Sequence, residues 1–75
     1  MKNYHLEFIL NAYNTEIKAI KNALTEFVAD IEINETKNEN NSSDYKIHLK
    51  AEDPTVIFDL CSQFGRIKSV RIEEP

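Results

Sequence analysis

Residues 45–54, YKIHLKAEDP, decide the fold of this chain, because the hydrophobic pattern changes there from a strand to a helix. Every second residue from Tyr45 to Ala51 is apolar, which is typical of a half-buried β-strand. Asp53 and Pro54 then predict a helix start, with a carboxylate cap followed by proline at the first helical position. The stretch therefore indicates a strand that leads directly into a helix.

The chain beyond this stretch continues as a helix and a last strand. The buried stripe of the helix is predicted to contain Val56, Ile57, Leu60, Cys61 and Phe64. Gly65, the only glycine, is predicted to end the helix with a positive φ, and Ile67 to make the hydrophobic contact of a Schellman end. Val70 and Ile72 then close the last strand, whose outward residues are Ser69, Arg71 and Glu73.

The chain before this stretch predicts a hairpin partner. Ile31 and Ile33 alternate with Asp30, Glu32 and Asn34, which indicates a second strand. Residues 37–44 contain nothing apolar, so we expect a mobile polar hairpin connection. Inward packing of both apolar sets would place the carboxylates of this strand opposite the lysines of the next one.

The first part of the chain repeats the order of strand and helix. Residues 4–10 alternate in the manner of a strand, and residues 11–14 break that alternation. Asn14 is predicted to cap the following helix, with Glu16 favourable in its first turn. The apolar stripe of this helix is predicted to contain Ile17, Ile20, Leu24, Phe27 and Val28.

Together these elements predict one domain over residues 1–75, with the order β-α-β-β-α-β. This is an α+β, ferredoxin-like sandwich with a four-stranded antiparallel sheet and two helices on one face. The right-handed crossover rule favours the first and third strands in the middle of the sheet. The other sheet face would then be bare.

Composition narrows the classes of function. The net charge is −4, with 9 Lys and Arg among 13 Asp and Glu, which argues against a nucleic-acid partner. No stretch approaches the length of a membrane span, and residues 1–10 lack a signal-peptide pattern, so we expect a cytoplasmic protein. Cys61, the single cysteine, is read as core packing.

No group of residues forms a recognisable catalytic or metal-binding motif. His5 and His48 are the only imidazoles, and both are predicted to lie side by side on the bare face, with His48 near Glu7 and Glu32. They are either a weak metal site, a pH-sensitive patch or two solvated side chains, and we favour the last because no ligand spacing supports a site. We therefore predict no catalytic residue, no metal ligand and no cofactor.

The loop after the first strand is the best candidate for a ligand site. It contains Asn11, Tyr13 and Asn14, placed just before a helix N-terminus, where a small anionic or zwitterionic ligand could bind. The alternative is a Tyr13 ring that packs over the end of the sheet.

The chain resembles ACT-type regulatory domains. The resemblance is carried by residues 16–28, 30–33, 45–49 and 66–72, the last reading RIKSVRI. Its opening Tyr4-His5-Leu6-Glu7-Phe8 and its terminal Glu73-Glu74 also look similar to the ACT-like C-terminal domain of MgtC/SapB-type magnesium-transport proteins. That resemblance implies a soluble part of a membrane protein, attached to the membrane only through another domain.

We therefore expect a non-enzymatic regulatory or interaction domain that forms a homodimer through its sheet edges or docks on a neighbouring domain. The alternative is a sensor of an amino acid or a metal ion that uses the loop after the first strand. An enzyme or a nucleic-acid binder is a third possibility, and an aromatic triplet on the bare face would favour the nucleic-acid binder.

Overall fold

The chain folds as a ferredoxin-like α+β sandwich, which confirms the fold predicted from the sequence. The structure is a computed structural model and describes residues 3–74, with every side chain among them except that of Ala29. Its elements are β1 (Tyr4–Tyr13), α1 (Ile17–Leu24), β2 (Val28–Lys37), β3 (Ser42–Ala51), α2 (Pro54–Ser62) and β4 (Gly65–Glu73).

The four strands form one antiparallel sheet in the order β2-β3-β1-β4, so the first and third strands are central, as predicted. β1 and β3 pair along their whole length, from Tyr4 opposite Ala51 to Tyr13 opposite Ser42. The predicted strand over residues 4–10 is therefore too short, because Asn11 to Tyr13 continue the pairing and do not form a loop.

The core lies between the helices and one face of the sheet. The central strands contribute Leu6, Phe8, Leu10, Ala12, Tyr45, Ile47, Leu49 and Ala51. The helices contribute Ile20, Leu24, Ile57 and Cys61. Cys61 is fully buried, which confirms its assignment to the core, and this burial raises the pKa of its thiol to about 11. A thiol in that state is neutral and packs as a small apolar side chain.

The first helix is shorter than its hydrophobic pattern suggested. α1 ends at Leu24, so Phe27 and Val28 do not belong to its stripe. Val28 begins β2 and Phe27 is 46% exposed. The predicted cap is also wrong, because Glu16 occupies the N-cap position and no side chain caps the helix. Pairing of Val28 with Ala51 in the sheet outweighs the continued helical spacing.

The hairpin is tighter than its polar composition suggested. β2 extends to Lys37 and β3 begins at Ser42, so only Asn38 to Asn41 connect them, and not the whole of 37–44. The side chain and backbone of Asn38 hold this turn, since Nδ2 donates to Ser42 Oγ at 3.1 Å and the backbone N–H donates to Ser42 O at 2.9 Å. Residue hydrophobicity does not report such hydrogen bonds.

The predicted charge pairing between β2 and β3 is only partly correct. Asp30 lies opposite Lys50, as predicted. Glu32, however, lies opposite His48, and Asn34 opposite Lys46. The amine of Lys46 instead lies 3.7 Å from the carboxylate of Glu7 in β1, the other strand that neighbours β3.

The start of α2 agrees with the prediction, and its end does not. Asp53 caps the helix by accepting a hydrogen bond from the Thr55 N–H at 3.0 Å. Gly65 has no positive φ and begins β4, so it does not form the predicted helix end. A Cβ at this position would collide with the backbone carbonyl oxygen of Asn11 in the neighbouring strand. The glycine is needed for close approach of two strands.

The last strand contains a β-bulge that the alternating pattern did not reveal. Between the pairs Ile9–Lys68 and Glu7–Arg71, β4 has one residue more than β1, and Ser69 takes a φ of 56° there. The register beyond the bulge shifts by one residue, so Ile72 lies opposite the buried Leu6. Val70 and Ile72 nevertheless remain 49% and 48% exposed, because they lie on the edge strand.

Candidate functional site

The three residues predicted to bind a ligand lie in different surroundings. Asn11 is inside β1, where its Nδ2 donates to Asp44 Oδ1 at 2.7 Å. Tyr13 ends β1, is 58% exposed, and accepts a 3.4 Å hydrogen bond from Asn40 Nδ2 at its hydroxyl. Asn14 has a φ of 49° and is the one of the three that lines a groove beside α1.

This groove lies between the β1–α1 loop and the β2–β3 hairpin, with a volume of about 680 Å³. Its charged walls carry both signs, from Glu16 and Lys18 on one side and Glu35 and Lys37 on the other. Ile17 and Lys18 of the first turn of α1 line this groove, and no side chain caps the helix, so their backbone N–H groups lie there without a capping partner. Mixed charge beside free N–H groups suits a small zwitterion.

The loop that forms the groove is held by the buried Tyr45. Its hydroxyl donates to the backbone carbonyl oxygen of Thr15, and Glu35 Oε2 lies 3.4 Å from the same hydroxyl. Burial, followed by the negative charge of Glu35, raises the pKa of Tyr45, so this hydroxyl is a donor under ordinary conditions. The hydrogen bond fixes the path of the chain between β1 and α1.

Asp44 joins the hairpin to both neighbouring strands on the open face of the sheet. Its Oδ1 accepts from Asn11 and, at 3.4 Å, from Asn38 Nδ2, and its Oδ2 lies 3.7 Å from Lys68 Nζ. The Asn11 hydrogen bond, aided by Lys68 and Asn38, lowers the pKa of Asp44 against the opposing effect of desolvation. Sequence reasoning placed Asp44 in a mobile turn and did not detect this network.

The open face of the sheet is densely charged but balanced. By register, its acidic side chains are Glu7, Asp30, Glu32, Asp44 and Glu73. Its basic side chains are Lys46, Lys50, Arg66, Lys68 and Arg71. The face is therefore neutral without its histidines, and the net charge of −4 comes from the rest of the chain.

The two histidines meet at the centre of this face. The rings of His5 and His48 stack with centroids 4.2 Å apart and planes inclined by 28°. The Nδ1 atom of His5 lies 3.9 Å from Glu73 Oε2, and that of His48 lies 3.8 Å from Glu32 Oε2. Both imidazoles thus have a carboxylate on the Nδ1 side and the other ring across the stack.

The sequence predicted part of this arrangement. Alternation placed both histidines outward on the central strands, and the register confirms Glu7 and Glu32 as neighbours of His48. Glu73 was not predicted, because the bulge in β4 moves it opposite His5. An unshifted register would have placed the apolar Ile72 there.

The outer edge of β4 is the remaining candidate surface. Within residues 3–74, no strand pairs with this edge, which runs over nine residues. Val70 and Ile72 add two half-exposed apolar side chains to it. Its charged side chains toward the open face are mainly basic, whereas those of β2, the opposite edge, are Asp30 and Glu32.

Comparison of the chain with protein-family models, with curated proteins and with solved structures gave no significant match in any of the three. Within the described residues, no helix is both long enough and apolar enough to cross a membrane. In the same part of the chain, no three His, Cys, Asp or Glu side chains cluster in a way that could hold a metal ion. The fold and the surfaces above are therefore the basis for inferring function.

Proposed function

We propose that this chain is a non-enzymatic interaction domain that forms a homodimer through the outer edge of β4. The observation that carries the proposal is a nine-residue strand edge that no strand within residues 3–74 pairs with, beside two half-exposed apolar side chains, Val70 and Ile72. Unpaired N–H and C=O groups on such an edge are satisfied when a strand of another molecule extends the sheet.

The size of the domain also favours association. A chain of 75 residues buries a smaller fraction of its surface than a larger domain, so burial against a second copy adds proportionally more to its stability. Its one cysteine is buried in the core and forms no crosslink. Burial of Val70 and Ile72 against a second copy would add apolar contact where the single chain has least.

The proposed function includes a regulatory role. The resemblance of the chain to ACT-type domains supports this role. In that role the domain acts in the cytoplasm and transmits association to a neighbouring domain. The magnesium-transport version adds that the neighbour is a membrane part of the same protein. Docking on such a neighbour would use the same β4 edge in place of a second copy.

Sedimentation velocity over a wide range of protein concentration tests the proposal. We expect a monomer–dimer equilibrium that the double variant Val70→Lys/Ile72→Lys shifts to monomer, since lysine on an edge strand opposes sheet extension. The matched control is Thr36→Lys, an exposed position on the opposite edge strand β2. A strict monomer at the highest concentration, or equal loss in the control, would contradict the proposal.

Salt dependence identifies the edge that β4 contacts. Two β4 edges bring basic side chains such as Lys68 and Arg71 toward each other, so salt should strengthen that dimer by screening. Contact of β4 with a β2 edge would instead join basic and acidic side chains and weaken with salt. That contact is head-to-tail and would produce larger assemblies than a dimer.

A ligand sensor is the second candidate, favoured by the mixed charges of the groove beside α1. The ligand would be a zwitterion such as an amino acid, held between Lys18 or Lys37 and the acidic side chains of the groove. A thermal-shift screen of amino acids and divalent cations tests it, with Lys37→Gln as the variant and Lys21→Gln outside the groove as the control. An unchanged melting temperature with every compound would reject this candidate.

A further inference from the structure

We propose that His5 and His48 form an open binding site for a divalent transition-metal ion on the bare face of the sheet. The ion would be bound by the Nε2 atoms of the two imidazoles, with water in its other positions. Both proposed ligands lie on the central strands, so the site does not rest on the proposed dimer, although one flanking carboxylate, Glu73, belongs to β4. It replaces our expectation of two independently solvated histidines.

The backbone holds the two imidazoles at a fitting separation. His5 and His48 lie on the central strands β1 and β3. His48 is opposite Glu7, two residues along β1 from His5, so the pairing of the two strands sets their Cβ positions. The ring centroids are 4.2 Å apart. Two nitrogens bound tetrahedrally at 2.0–2.1 Å to one zinc ion lie roughly 3.3 Å from each other.

Metal binding requires the two rings to turn out of the stack. In the stack, the ring planes are inclined by 28°. Rotation about χ2 of each side chain would direct the two Nε2 atoms toward a shared ion. The side chains are 38% and 40% exposed, so both rings are accessible from solvent.

The flanking carboxylates are the strongest support for a metal function. A metal-binding histidine commonly donates its second N–H to a carboxylate, which fixes the tautomer and orients the ring. Glu73 lies on the Nδ1 side of His5 and Glu32 on the Nδ1 side of His48, at 3.9 and 3.8 Å. Closing either distance by less than about 1 Å gives such a hydrogen bond and leaves Nε2 free for the ion.

The bulge in β4 is what supplies one of these carboxylates. Its extra residue shifts the register so that Glu73, and not Ile72, lies opposite His5. Each histidine therefore has its own carboxylate, from a different edge strand. Solvated histidines on a polar face do not require this symmetric placement.

The donor set selects the class of ion. Neutral imidazole suits zinc, copper and nickel, whereas magnesium prefers oxygen ligands and its own water. Two protein ligands are fewer than a structural zinc site uses, so the ion keeps open positions and binds reversibly. Such a site fits sensing or recruitment of a free divalent ion better than structural support.

Titration of the full chain with zinc, followed by NMR of the histidine ring signals, tests the site. We expect zinc to shift the ring resonances of both histidines together, and nickel to broaden them, while magnesium has no effect. Lowering the pH should release the ion, because protons compete for imidazole nitrogen. Calorimetry gives the affinity for each variant below.

The variants separate ligands from orienting groups. His5→Asn and His48→Asn should each abolish measurable binding. Glu32→Gln and Glu73→Gln should each weaken it about tenfold, as orienting partners do. Glu39→Gln, in the exposed hairpin turn, is the matched carboxylate control and should leave the affinity unchanged.

Three results would overturn the proposal. They are the absence of zinc-dependent shifts at neutral pH, movement of one ring alone, and equal binding by wild type and both histidine variants. Ring signals of the wild-type chain decide the question even where a variant fails to fold.

Discussion

The two strand-to-helix junctions of this fold are built in different ways. Between β3 and α2, Asp53 caps the helix through Thr55 N–H, and Pro54 occupies the first helical position. Between β1 and α1, the N-cap residue Glu16 makes no capping hydrogen bond with its side chain. The β3–α2 junction is thus fixed by residues adjacent in sequence.

The β1–α1 junction is instead held by hydrogen bonds to residues that are distant in sequence. The Asn14 N–H donates to Asn41 O at 3.4 Å, and the Tyr45 hydroxyl donates to Thr15 O. Both partners belong to the β2–β3 hairpin, more than 25 residues away in sequence. A locally capped junction can therefore be predicted from sequence, whereas one held by tertiary contacts cannot. The first junction is also the one that borders the groove.

The largest expected effect comes from Gly65→Ala, at a position where β4 closely approaches β1. The new Cβ would meet the Asn11 carbonyl oxygen, with the Ala12 Cα at 3.0 Å, so β1 and β4 must separate. We expect a loss of about 3 kcal/mol in the free energy of unfolding, measured by urea denaturation. A loss within 0.5 kcal/mol would be as small as an ordinary surface substitution and would contradict the close approach.

A smaller effect should distinguish the two helix caps directly. Asp53→Ala removes the side-chain acceptor of the Thr55 N–H and should cost about 1 kcal/mol. Glu16→Ala is the matched variant and should change the stability by less than about 0.5 kcal/mol, because no capping hydrogen bond is lost. Equal losses in the two variants would remove the distinction between the junctions.

The bulge in β4 offers a stabilising substitution. Ser69 has a φ of 56°, a left-handed conformation that glycine adopts without steric cost. Ser69→Gly should therefore raise the free energy of unfolding by about 0.5 kcal/mol, measured by urea denaturation, as a net of relieved strain and added chain entropy. Lys68→Gly, one residue earlier in the same strand, is the control and should lower it.

Sequence reasoning succeeded where the signal was local and periodic. It predicted the element order, the Asp53 cap and the outward histidines from neighbouring residues, and the central strands from that order and the crossover rule. It failed where one strand sets the conformation of another. The role of Gly65 depends on Asn11, and the place of Glu73 depends on a bulge that its own residues do not mark. The candidate sites depend on such non-local contacts more than the fold does.

The smallest effect concerns Asp44, which ties the hairpin to β1 and β4 on the open face. Hydrogen bonding by Asn11 lowers the pKa of Asp44 below its ordinary value of 3.8. A carboxyl group with a lowered pKa in the folded state stabilises the fold above its unfolded pKa. This stabilisation is lost as the pH falls from 3.8 through the lowered value. The Asp44→Asn variant lacks this stabilisation by a charged carboxylate. The stability of the variant should therefore fall less steeply with acid than that of the wild type.

Urea midpoints of both proteins, measured from neutral pH down through 3.8, show how steeply the stability of each protein falls with acid. Glu39→Gln in the same turn is the control and should follow the wild-type curve. Parallel curves for wild type and Asp44→Asn would show that Asn11 does not favour the charged carboxylate. The amide of Asn11 would then be free for the ligand role that the sequence suggested. A steeper fall for the wild type would instead assign the Asn11 amide to holding the hairpin on the sheet.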